Sequence, residues 1–443
     1  MSNLNYSDSL DELERRFNFE KEEKAKFPFF KLDRTKKLME LLGNPQDDNS
    51  FTIHIAGTNG KGTVSSIMDS IISKDYKTGL LTSPHLKNYT ERIKINGNEV
   101  SQELFASTYQ QISERIYDFE KEENVEFTFF EIITAMAFII FMKEGVDVKI
   151  LETGLGGSFD STNIVNSDIS VVTPISEDHK KILGGTLKSI AQNKAGIIKK
   201  NSKVIISKQK KICKEILIAT ADSKGSDLIE VEYKLYGSPK IIDNRMAAKL
   251  LVDKTWYAIN YKSIGLYHFE NIATAIKATK EFNKDTAPEI ISEGINNNLW
   301  PCRGDLYCLN EKMVLIDGAH NKAGFNNLKK TLTTFFNKKN YIIIYGTNNN
   351  HDVNTFIKFI EKIPCKIILT KSNHPKSLNR KTIEKKLTKL GIKFIKSTST
   401  ENALKIAMSN YLKNDLIVAT GSLFVSSEIS NELDKINEQE HKK

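Results

Sequence analysis

Cysteine is scarce in this sequence, which excludes the disulfide-stapled scaffolds of small secreted proteins. The four cysteines present are Cys213, Cys302, Cys308 and Cys365. Their spacing matches neither a set of metal ligands nor a disulfide framework. We therefore expect the protein to work in the reducing cytoplasm.

Long hydrophobic runs are also missing. The densest apolar stretch, residues 135–142, is far shorter than the roughly 20 apolar residues that a membrane-spanning helix needs. Residues 1–17 alternate polar and acidic side chains without an apolar centre, so we expect no signal peptide. With 40% hydrophobic and 27% charged residues, the composition predicts a soluble globular protein without a membrane partner.

Charge of one sign is in moderate excess, with 64 Lys and Arg against 55 Asp and Glu, for a formal net charge of +9. The lysines are spread over the whole chain among acidic residues, and no basic stripe studded with aromatic residues occurs. Grooves for nucleic acid are typically built from such stripes. We therefore expect a solvated, lysine-rich surface that attracts small polyanions, and no nucleic-acid partner.

What the chain does contain is a glycine-rich turn between two apolar patterns. Residues 51–55 alternate apolar and polar side chains, which is the period of a half-buried strand. Apolar residues then recur at helical spacing over 64–72. The turn itself consists of Gly57, Thr58, Asn59, Gly60, Lys61, Gly62 and Thr63.

This order of strand, turn and helix suits the binding of a phosphate. Glycines let backbone N–H groups approach an anion, and a helix N-terminus adds unpaired donors and a positive dipole. Lys61 offers a charge to the terminal phosphates, and Thr63 offers a hydroxyl to a hydrated magnesium ion. Because Ile55 and Gly62 depart from the general P-loop pattern, a plain turn with a solvated lysine is the alternative. The flanking strand and helix favour a nucleotide site.

Polar side chains follow three predicted strands at the point where each strand ends. Ser83 follows the apolar residues 79–81, and Glu152 follows the apolar residues Val146, Val148, Ile150 and Leu151, beside three glycines. Packing explains a carboxylate in that place poorly, whereas the carboxyl edge of an open parallel sheet commonly binds ligands. A lone histidine more often caps or packs than binds metal, but His179 also lies just beyond a predicted strand. The three side chains are therefore candidates for a metal or phosphate site.

We interpret the segment 296–301 as a hinge. Regular alternation of strands and helices begins after it. The sequence predicts strands over 313–316, 341–346, 365–370, 393–396 and 416–419, with helices over 323–336 and 401–412 among the segments that join them. Such alternation is typical of a doubly wound α/β domain. Because 443 residues exceed one ordinary core, we expect two or three domains.

An ordered set of motifs resembles the folylpolyglutamate synthase and dihydrofolate synthase family, a branch of the Mur-type ATP-dependent amide-forming ligases. The resemblance runs over most of the chain, and the later motifs identify the family better than the glycine-rich turn does. In order, the motifs are residues 57–63, Thr82-Ser83-Pro84-His85, Thr90-Glu91-Arg92-Ile93, 152–157 with Asp160, Thr162 and Asn163, Asp178-His179, Leu183-Gly184, Lys194-Ala195-Gly196-Ile197, Trp300-Pro301 with Arg303, 317–321, and Gly421-Ser422-Leu423.

The resemblance implies an α/β fold with a P-loop ATPase domain over residues 1–298, built on a mostly parallel sheet. It implies a smaller, Rossmann-like, doubly wound domain over residues 299–443, with the reaction in the cleft between them. In that family, ATP phosphorylates a carboxylate of the folate substrate, and the amine of L-glutamate attacks the acyl phosphate. The resemblance leaves open whether dihydropteroate is also an acceptor. It further implies a monomer that binds small-molecule substrates, ATP and two Mg²⁺ ions.

Site residues carry over from the family position by position. The resemblance implies that Lys61 and the loop amides hold the β- and γ-phosphates of ATP. The other nucleotide contacts that it implies are Asn271, Arg303, Asp317 and His320. It implies Ser83 and Glu152 as ligands of the first magnesium ion and His179 as the ligand of the second.

The resemblance also marks Lys194 as the family lysine that reacts with carbon dioxide to form a carbamate. Lys194 would then act in catalysis with Glu152 and His179. Outside this motif, a lysine after a polar helix is ordinarily a solvated surface residue. The substrate-side residues that the resemblance implies are Pro84, His85, Tyr89, Arg92 and, near the glutamate, Ser422.

Some segments depart from the family pattern. Cys302-Arg303-Gly304-Asp305 and Lys322 replace common family residues, and 346–352 keeps only part of a family segment. Two other functions therefore stay open at this point. One is a Mur-type ligase acting on another carboxylate, such as a cell-wall precursor, and the other is a P-loop switch that binds nucleotide without ligating anything.

Overall fold

The computed structural model describes residues 5–18, 20–21, 32–179, 182–337 and 339–441. Two compact units emerge from the contacts within the chain. One comprises Met1–Tyr233 with Asn271–Ile295, and the other Lys234–Glu270 with Asn296–Lys443. Each unit combines helices with a sheet, which confirms the α/β class. The linear boundary at residue 298 stays a prediction.

An eight-stranded, mostly parallel sheet forms the centre of the first unit. Its strands are β1 (Phe51–Ala56), β2 (Thr78–Leu81), β3 (Ile93–Ile95), β4 (Asn98–Glu99), β5 (Val148–Glu152), β6 (Ile169–Val172), β7 (Lys203–Ile206) and β8 (Asp227–Glu230). Their order across the sheet is β4-β3-β2-β5-β1-β6-β7-β8. The six neighbouring strands β2, β5, β1, β6, β7 and β8 pair in parallel. Strands β3 and β4 add an antiparallel edge beside β2.

The prediction that β1 is half-buried is wrong. Parallel strands pair with β1 on both sides, and the polar residues Thr52 and His54 are as buried as their apolar neighbours. Strands of a parallel sheet usually lose both faces to solvent. The second face of β1 can bury the polar side chain of His54 because His54 is hydrogen-bonded to Thr162.

Nine helices belong wholly or mostly to the first unit as far as the structure describes it. They are α1 (Tyr6–Glu14), α2 (Leu32–Leu41), α3 (Lys61–Ile72), α4 (Gln102–Glu123), α5 (Phe129–Glu144), α6 (Leu187–Ala195), α7 (Lys211–Lys224), α8 (Tyr267–Phe282) and α9 (Pro288–Asn297). The predicted helix after the glycine-rich turn is α3, which begins directly at Lys61.

Helix α5 shows how local sequence sets the ends of an element. The side chain of Thr128 accepts from the N–H of Glu131, while the Glu131 carboxylate accepts from the N–H of Thr128. This reciprocal capping box satisfies two donors that a helix start would otherwise leave unpaired. The helix ends at Gly145, whose φ of 59° is the left-handed conformation that glycine adopts without strain. Its apolar residues join α4 and neighbouring segments in one large core.

The second unit contains two sheets. Its strands are β9 (Tyr233–Ile242), β10 (Arg245–Val252), β11 (Thr255–Tyr261), β12 (Arg303–Leu309), β13 (Lys312–Asp317), β14 (Asn340–Tyr345), β15 (Cys365–Leu369), β16 (Ile395–Lys396) and β17 (Asp415–Thr420). The small sheet has the order β11-β10-β9, and the large sheet has the order β12-β13-β17-β14-β15-β16. All five strands predicted after residue 298 are observed in the large sheet.

Helices α10 (Lys322–Phe335), α11 (Val353–Ile360), α12 (Arg380–Lys389), α13 (Thr400–Ser409) and α14 (Leu423–His441) connect or follow these strands. Parallel pairing from β13 to β16 gives the predicted doubly wound arrangement. Strand β12 pairs antiparallel to β13 at the sheet edge and was not predicted, because a bulge separates Arg303 from Asp305. Among the described helices, none has both the length and the apolar character that a membrane crossing requires.

Candidate active site

The glycine-rich turn connects β1 to α3 at the carboxyl edge of the parallel strands. Gly57 has φ 153° and Gly60 has φ 94°, both disfavoured for other residues. A Cβ on Gly57 would lie 1.8 Å from Thr173 Oγ1, and one on Gly60 would lie 2.4 Å from Asn271 Oδ1. Both positions therefore require glycine, and Asn271 is placed directly against the turn.

The first half of the turn is bound to the segment that follows β6. The hydroxyl of Thr58 donates to the carbonyl of Ser176 (3.1 Å) and accepts from the N–H of Ser176 (3.0 Å). The N–H groups of Thr58 and Asn59 both point toward the carbonyl of Pro174. The glycine-rich turn and the segment that leads to His179 are thus joined by hydrogen bonds.

Three of the predicted site residues meet where β2 and β5 end. Lys61 Nζ lies 3.6 Å from Glu152 Oε1, and the N–H of Ser83 donates to Glu152 Oε2 over 3.3 Å. The Glu152 side chain is only 4% exposed. A buried carboxylate is costly unless it is paired, and the Lys61 ammonium supplies such a partner for Glu152.

Lys194 is buried in the last turn of α6, where its Nζ donates to the carbonyl of Gly57 over 2.6 Å. Burial, and secondarily the charge of Lys61, lowers the pKa of Lys194 to about 7. The carboxylates of Asp178 and Asp160 oppose this shift. An amine with such a pKa is partly neutral, and hence nucleophilic, at physiological pH.

His179 lies on the loop after β6 with φ 45°, the left-handed conformation. Its backbone N–H donates to the side chain of Asp178 (2.8 Å), and its imidazole side chain is 38% exposed. Among the described residues, no group of three or more His, Cys, Asp or Glu side chains is gathered in a way that would hold a metal ion.

The predicted substrate-side residues form a cluster around a buried arginine. Arg92 is 1% exposed, its Nε donates to His85 Nδ1 (2.8 Å), and its guanidinium binds the carboxylate of Glu20. The hydroxyl of Tyr89 donates to Glu14, and the rings of His85 and Tyr89 lie 4.1 Å apart. Pro84 follows Ser83 through a cis peptide bond. The cluster attaches Glu14 and Glu20 to the loop that follows β2.

In the second unit, the predicted residues gather around the turn after β13. Asp317 accepts from the N–H of Ala319 (2.9 Å) and from the hydroxyl of Tyr267 (2.7 Å), and burial raises the pKa of its carboxyl. His320 Nδ1 lies 2.8 Å from the carbonyl of Gly318. A Cβ on Gly318 would lie 3.3 Å from Arg303 Nη1, so the guanidinium lies against the same turn.

Ser422 is close to this turn through the backbone. The N–H of Gly421 donates to the carbonyl of Ala319 over 3.0 Å. The Ser422 hydroxyl accepts from the N–H of Val425 (3.1 Å) at the start of α14 and is fully buried. Helix capping is thus a structural use of this hydroxyl.

Sequence reasoning missed several residues that the structure adds to these sites. Tyr267 binds Asp317, His351 stacks on His320 with ring centroids 4.5 Å apart, and Ser176 binds Thr58. Asp160 and Thr162 were noticed only as members of a motif. Their spacing was a usable signal, because an aspartate commonly accepts from the N–H two residues later.

Comparison with known proteins matches two segments of the chain. Residues 55–279 match the Mur ligase middle domain, and residues 303–423 match the glutamate ligase domain of Mur ligases. The fold, the P-loop site and both matches define the class of protein as the Mur ligases, which are ATP-dependent ligases.

Several relatives narrow the class. The chain is 30% identical over 412 residues to the dihydrofolate synthase/folylpolyglutamate synthase of Bacillus subtilis, covering 91% of this chain and 94% of that protein. It is 31% identical over 312 residues to the folylpolyglutamate synthase of Lacticaseibacillus casei, covering 68% and 72%. Mycobacterium tuberculosis folylpolyglutamate synthase, solved with ADP and AMPPCP, superimposes with a TM-score of 0.85 at 26% identity, over 97% of this chain and 99% of that one. The chain belongs to the folylpolyglutamate synthase/dihydrofolate synthase family, as the motifs predicted.

Proposed function

We propose that the protein adds L-glutamate to folates in an ATP-dependent reaction that passes through an acyl phosphate. The observation that carries the proposal is the meeting of Lys61, Ser83 and Glu152 beside the glycine-rich turn, with Lys194 bound to the same turn at Gly57. A nucleotide switch would have no use for the buried carboxylate and the buried amine together. Family membership supports the acceptor class.

The reaction divides into two displacements. An oxygen of the substrate carboxylate attacks the γ-phosphorus of ATP, the bond to the bridging oxygen breaks, and ADP leaves. The amine of glutamate then attacks the acyl carbon, phosphate leaves with the electron pair of the C–O bond, and the nitrogen loses a proton. Activation is needed because phosphate is a far better leaving group than the oxide of a free carboxylate.

Lys61 and the first turn of α3 bind the phosphates of ATP in this proposal. Before nucleotide binds, the Lys61 ammonium faces Glu152. On binding, it exchanges that carboxylate for the β- and γ-phosphates, while the helix N-terminus directs unpaired N–H groups at the anion. Asn271, which lies against Gly60, is a proposed contact of the adenine, and Arg303, Asp317 and His320 are proposed nucleotide contacts of the second unit.

Two of the three proposed donors, the Glu152 carboxylate and the Ser83 hydroxyl, are oxygen ligands of the kind that magnesium prefers. Magnesium keeps several waters and takes only one or two carboxylates from the protein together with substrate phosphates. Glu152 with the hydroxyl of Ser83 would hold one ion, and His179 would hold the other. Bound there, magnesium would shield the repulsion between the γ-phosphate and the incoming carboxylate.

Lys194 is proposed to carry a carbamate. Its neutral amine would attack carbon dioxide and lose a proton, which converts a buried neutral group into an anion near Lys61. A lowered pKa favours this reaction, because only the neutral amine has a free electron pair.

Dihydropteroate is the second proposed acceptor. The Bacillus subtilis relative, which this chain matches over nearly its full length, is named for both activities. The substrate-side assignments Pro84, His85, Tyr89 and Arg92, and Ser422 near the glutamate, remain predictions from the family motifs.

The test is a paired assay with ATP, magnesium and L-glutamate, using a reduced folate in one reaction and dihydropteroate in the other. We expect acceptor-dependent release of phosphate and a product that is heavier by one glutamyl residue. A Lys61→Ala protein purified in parallel excludes a contaminating ligase. Absence of acceptor-dependent phosphate with both compounds would refute the proposal. Phosphate release with a cell-wall precursor instead would identify a different Mur-type ligase.

A further inference from the structure

The backbone at the start of β12 bends sharply around Arg303. Cys302 has φ 60° and Gly304 has φ 86°, so a left-handed residue precedes the arginine and another follows it. A bulge also interrupts the pairing with β13 between Arg303 and Asp305, and bulges re-aim the side chains beside them. Glycine adopts the left-handed conformation freely, but Cys302 is strained there, and such strain persists only where the surrounding structure holds it. We call residues 302–304 the Arg303 bend.

The three carbonyl oxygens of the Arg303 bend are all hydrogen-bonded within the second unit. Their donors are the N–H of Gly318 to Cys302 (2.9 Å), Nε2 of His268 to Arg303 (2.6 Å) and the N–H of Ile264 to Gly304 (2.6 Å). His268 is fully buried, and burial lowers its pKa to about 3, so its ring is neutral at physiological pH. The carbonyl side of the bend is thus fixed by two backbone amides and one neutral imidazole.

The amide side of the Arg303 bend is held by the carboxylate of Asp305. Asp305 Oδ2 accepts from the backbone N–H of Cys302 (2.6 Å), and Oδ1 accepts from the hydroxyl of Ser263 (3.1 Å). Asp305 is 8% exposed, and burial raises its pKa to about 7 while these two hydrogen bonds oppose the shift. A hydrogen bond from an N–H to a carboxylate is roughly twice as strong as one between neutral groups. Asp305 therefore stabilises the strained conformation of Cys302 directly.

The guanidinium of Arg303 lies against the turn after β13. A Cβ on Gly318 would lie 3.3 Å from Arg303 Nη1, and the charge of Arg303 opposes the rise that burial causes in the pKa of Asp317. Asp305 thus acts on the backbone that carries the arginine, while Asp317 faces the charge at its tip. Loss of the Asp305 carboxylate would release the bend and move that tip.

We propose that Asp305 is a positioning residue of the ligase reaction, which fixes the Arg303 bend through the N–H of Cys302 and so directs Arg303 at the nucleotide. This inference rests on the proposed function, since that function assigns Arg303 to the nucleotide. The effect of Asp305 is expected on the use of ATP and to pass through Arg303 alone.

A double-mutant cycle tests whether Asp305 acts through Arg303. The cycle compares Asp305→Asn, Arg303→Ala and the double variant by kcat/KM for ATP, at about pH 8, where most Asp305 is ionised. For Asp305→Asn we expect a fall of about 10- to 100-fold, since a misplacement of about 1 Å can cost that much. The double variant should lie within about twofold of Arg303→Ala, because the second change then has nothing left to misplace. The KM for the folate acceptor should stay within about twofold in Asp305→Asn.

A rescue variant and a matched control distinguish positioning from general stability. Cys302→Gly removes the strain that Asp305 holds, so Cys302→Gly combined with Asp305→Asn should recover most of kcat/KM for ATP. Asp415→Asn makes the same change at a buried aspartate of β17 that also accepts a backbone N–H, from Leu412 over 3.0 Å. It should leave kcat/KM for ATP within about twofold of the wild type.

A spectroscopic readout tests the bond without the reaction. In protein labelled with ¹⁵N-cysteine, four amide signals are expected, and the signal of Cys302 is assigned by its loss in Cys302→Gly. Its amide proton should appear at low field and exchange slowly with solvent, as expected of a short bond to a carboxylate. Asp305→Asn should move this signal, and Asp415→Asn should leave it in place. A Cys302 amide that exchanges as fast as an unprotected one in the wild type would overturn the inference even if every variant failed to fold.

The two arms separate the failure of the positioning role from the failure of the proposed function. A wild-type protein that is inactive with both acceptors refutes the function, while the Cys302 signal still decides whether Asp305 holds the bend. An active wild type with unchanged kcat/KM for ATP in Asp305→Asn refutes the positioning role. Losses in the double variant that multiply those of the two single variants would also refute it, because Asp305 would then act independently of Arg303.

Discussion

The ammonium of Lys61 and the carboxylate of Glu152 are 3.6 Å apart at the carboxyl edge of the first sheet. The lysine is proposed to bind phosphate, and the glutamate is proposed to bind magnesium. Each of the two charged side chains is therefore the partner of the other as well as a proposed ligand-binding group. The pair keeps both charges satisfied until substrates arrive. The proposed contribution of Lys61 to nucleotide binding can be measured separately from the proposed contribution of Glu152 to turnover.

Replacing Glu152 by Gln should separate nucleotide binding from turnover. The amide removes the carboxylate that competes with phosphate for Lys61, so ADP should bind at least as tightly as in the wild type when magnesium is chelated. Turnover should fall by about 100-fold or more, beyond the usual cost of disturbing a partner of a metal ligand. Calorimetric titration with ADP and a phosphate-release assay measure the two effects. Weaker ADP binding without magnesium would contradict the proposed exchange of partners.

Lys194→Ala should abolish turnover while nucleotide binding is retained. The variant lacks the amine that is proposed to form the carbamate, and a short carboxylic acid that enters the space left by the side chain should restore part of the activity. Lys188→Ala, on the exposed side of the same helix, is the matched control and should behave as the wild type. Activity in Lys194→Ala without added acid would exclude the carbamate.

Acid should inhibit the enzyme through Lys194. Because burial lowers the pKa of this amine to about 7 from an ordinary 10.5, protonation at lower pH removes the form that reacts with carbon dioxide. The same shift affects stability: between about pH 10.5 and pH 7 the unfolded chain binds a proton that the folded chain does not, so the contribution of Lys194 to stability falls as pH falls through this window. A pH profile of kcat, with and without bicarbonate, tests the first statement. Lys194→Ala rescued by a short acid should lack the limb near pH 7.

Arg92→Ala should destabilise the protein by about 3–5 kcal/mol, the usual cost of breaking a buried ion pair from one side. The guanidinium is fully buried and bound to Glu20 and His85. Lys37→Ala, which breaks an exposed pair with Glu123, should cost at most about 1 kcal/mol. Urea unfolding of both variants gives the comparison. Similar small losses in both would show that the cluster around Arg92 does not anchor Glu20.

Gly157→Ala should reduce turnover by about 100-fold, because displacing a catalytic group by about 1 Å can have that effect. The added Cβ would meet main-chain atoms of Asn193 and Lys194, which cannot move without shifting α6. Gly145→Ala is the control, since its Cβ would enter open space with only the strain of φ 59°, about 1–2 kcal/mol. Kinetics of both variants at a temperature where both are folded measure the difference. Equal turnover in the two proteins would contradict the close packing of the loop.

Local patterns in the sequence predicted the elements that carry the site. Glycine positions, alternation and helical spacing are short-range features, so the turn at 57–63, its strand and its helix could be found without the fold. The burial of His54 could not, because alternation with polar residues indicates a solvated face unless the partner of the polar side chain is known. Thr162, the partner, is more than a hundred residues away in the chain.

The same limit applies to the contacts within the site. The bond from Lys194 to Gly57 and the pairing of Arg92 with Glu20 join residues that are far apart in sequence. Family resemblance named Lys194 and Arg92, but it did not predict that the donors of Arg92 would be used by protein groups. The edge strand β12 was missed for a local reason, since Gly304 interrupts its alternation at the bulge.

The contact between Thr58 and Ser176 has a consequence for sequence variation. Ser176 contributes only its N–H and carbonyl, and its own hydroxyl has no hydrogen-bond partner among the described residues. Any amino acid except proline supplies those two groups, whereas position 58 requires a hydroxyl that both donates and accepts. Homologues should therefore vary more at position 176 than at position 58, which should alternate only between threonine and serine.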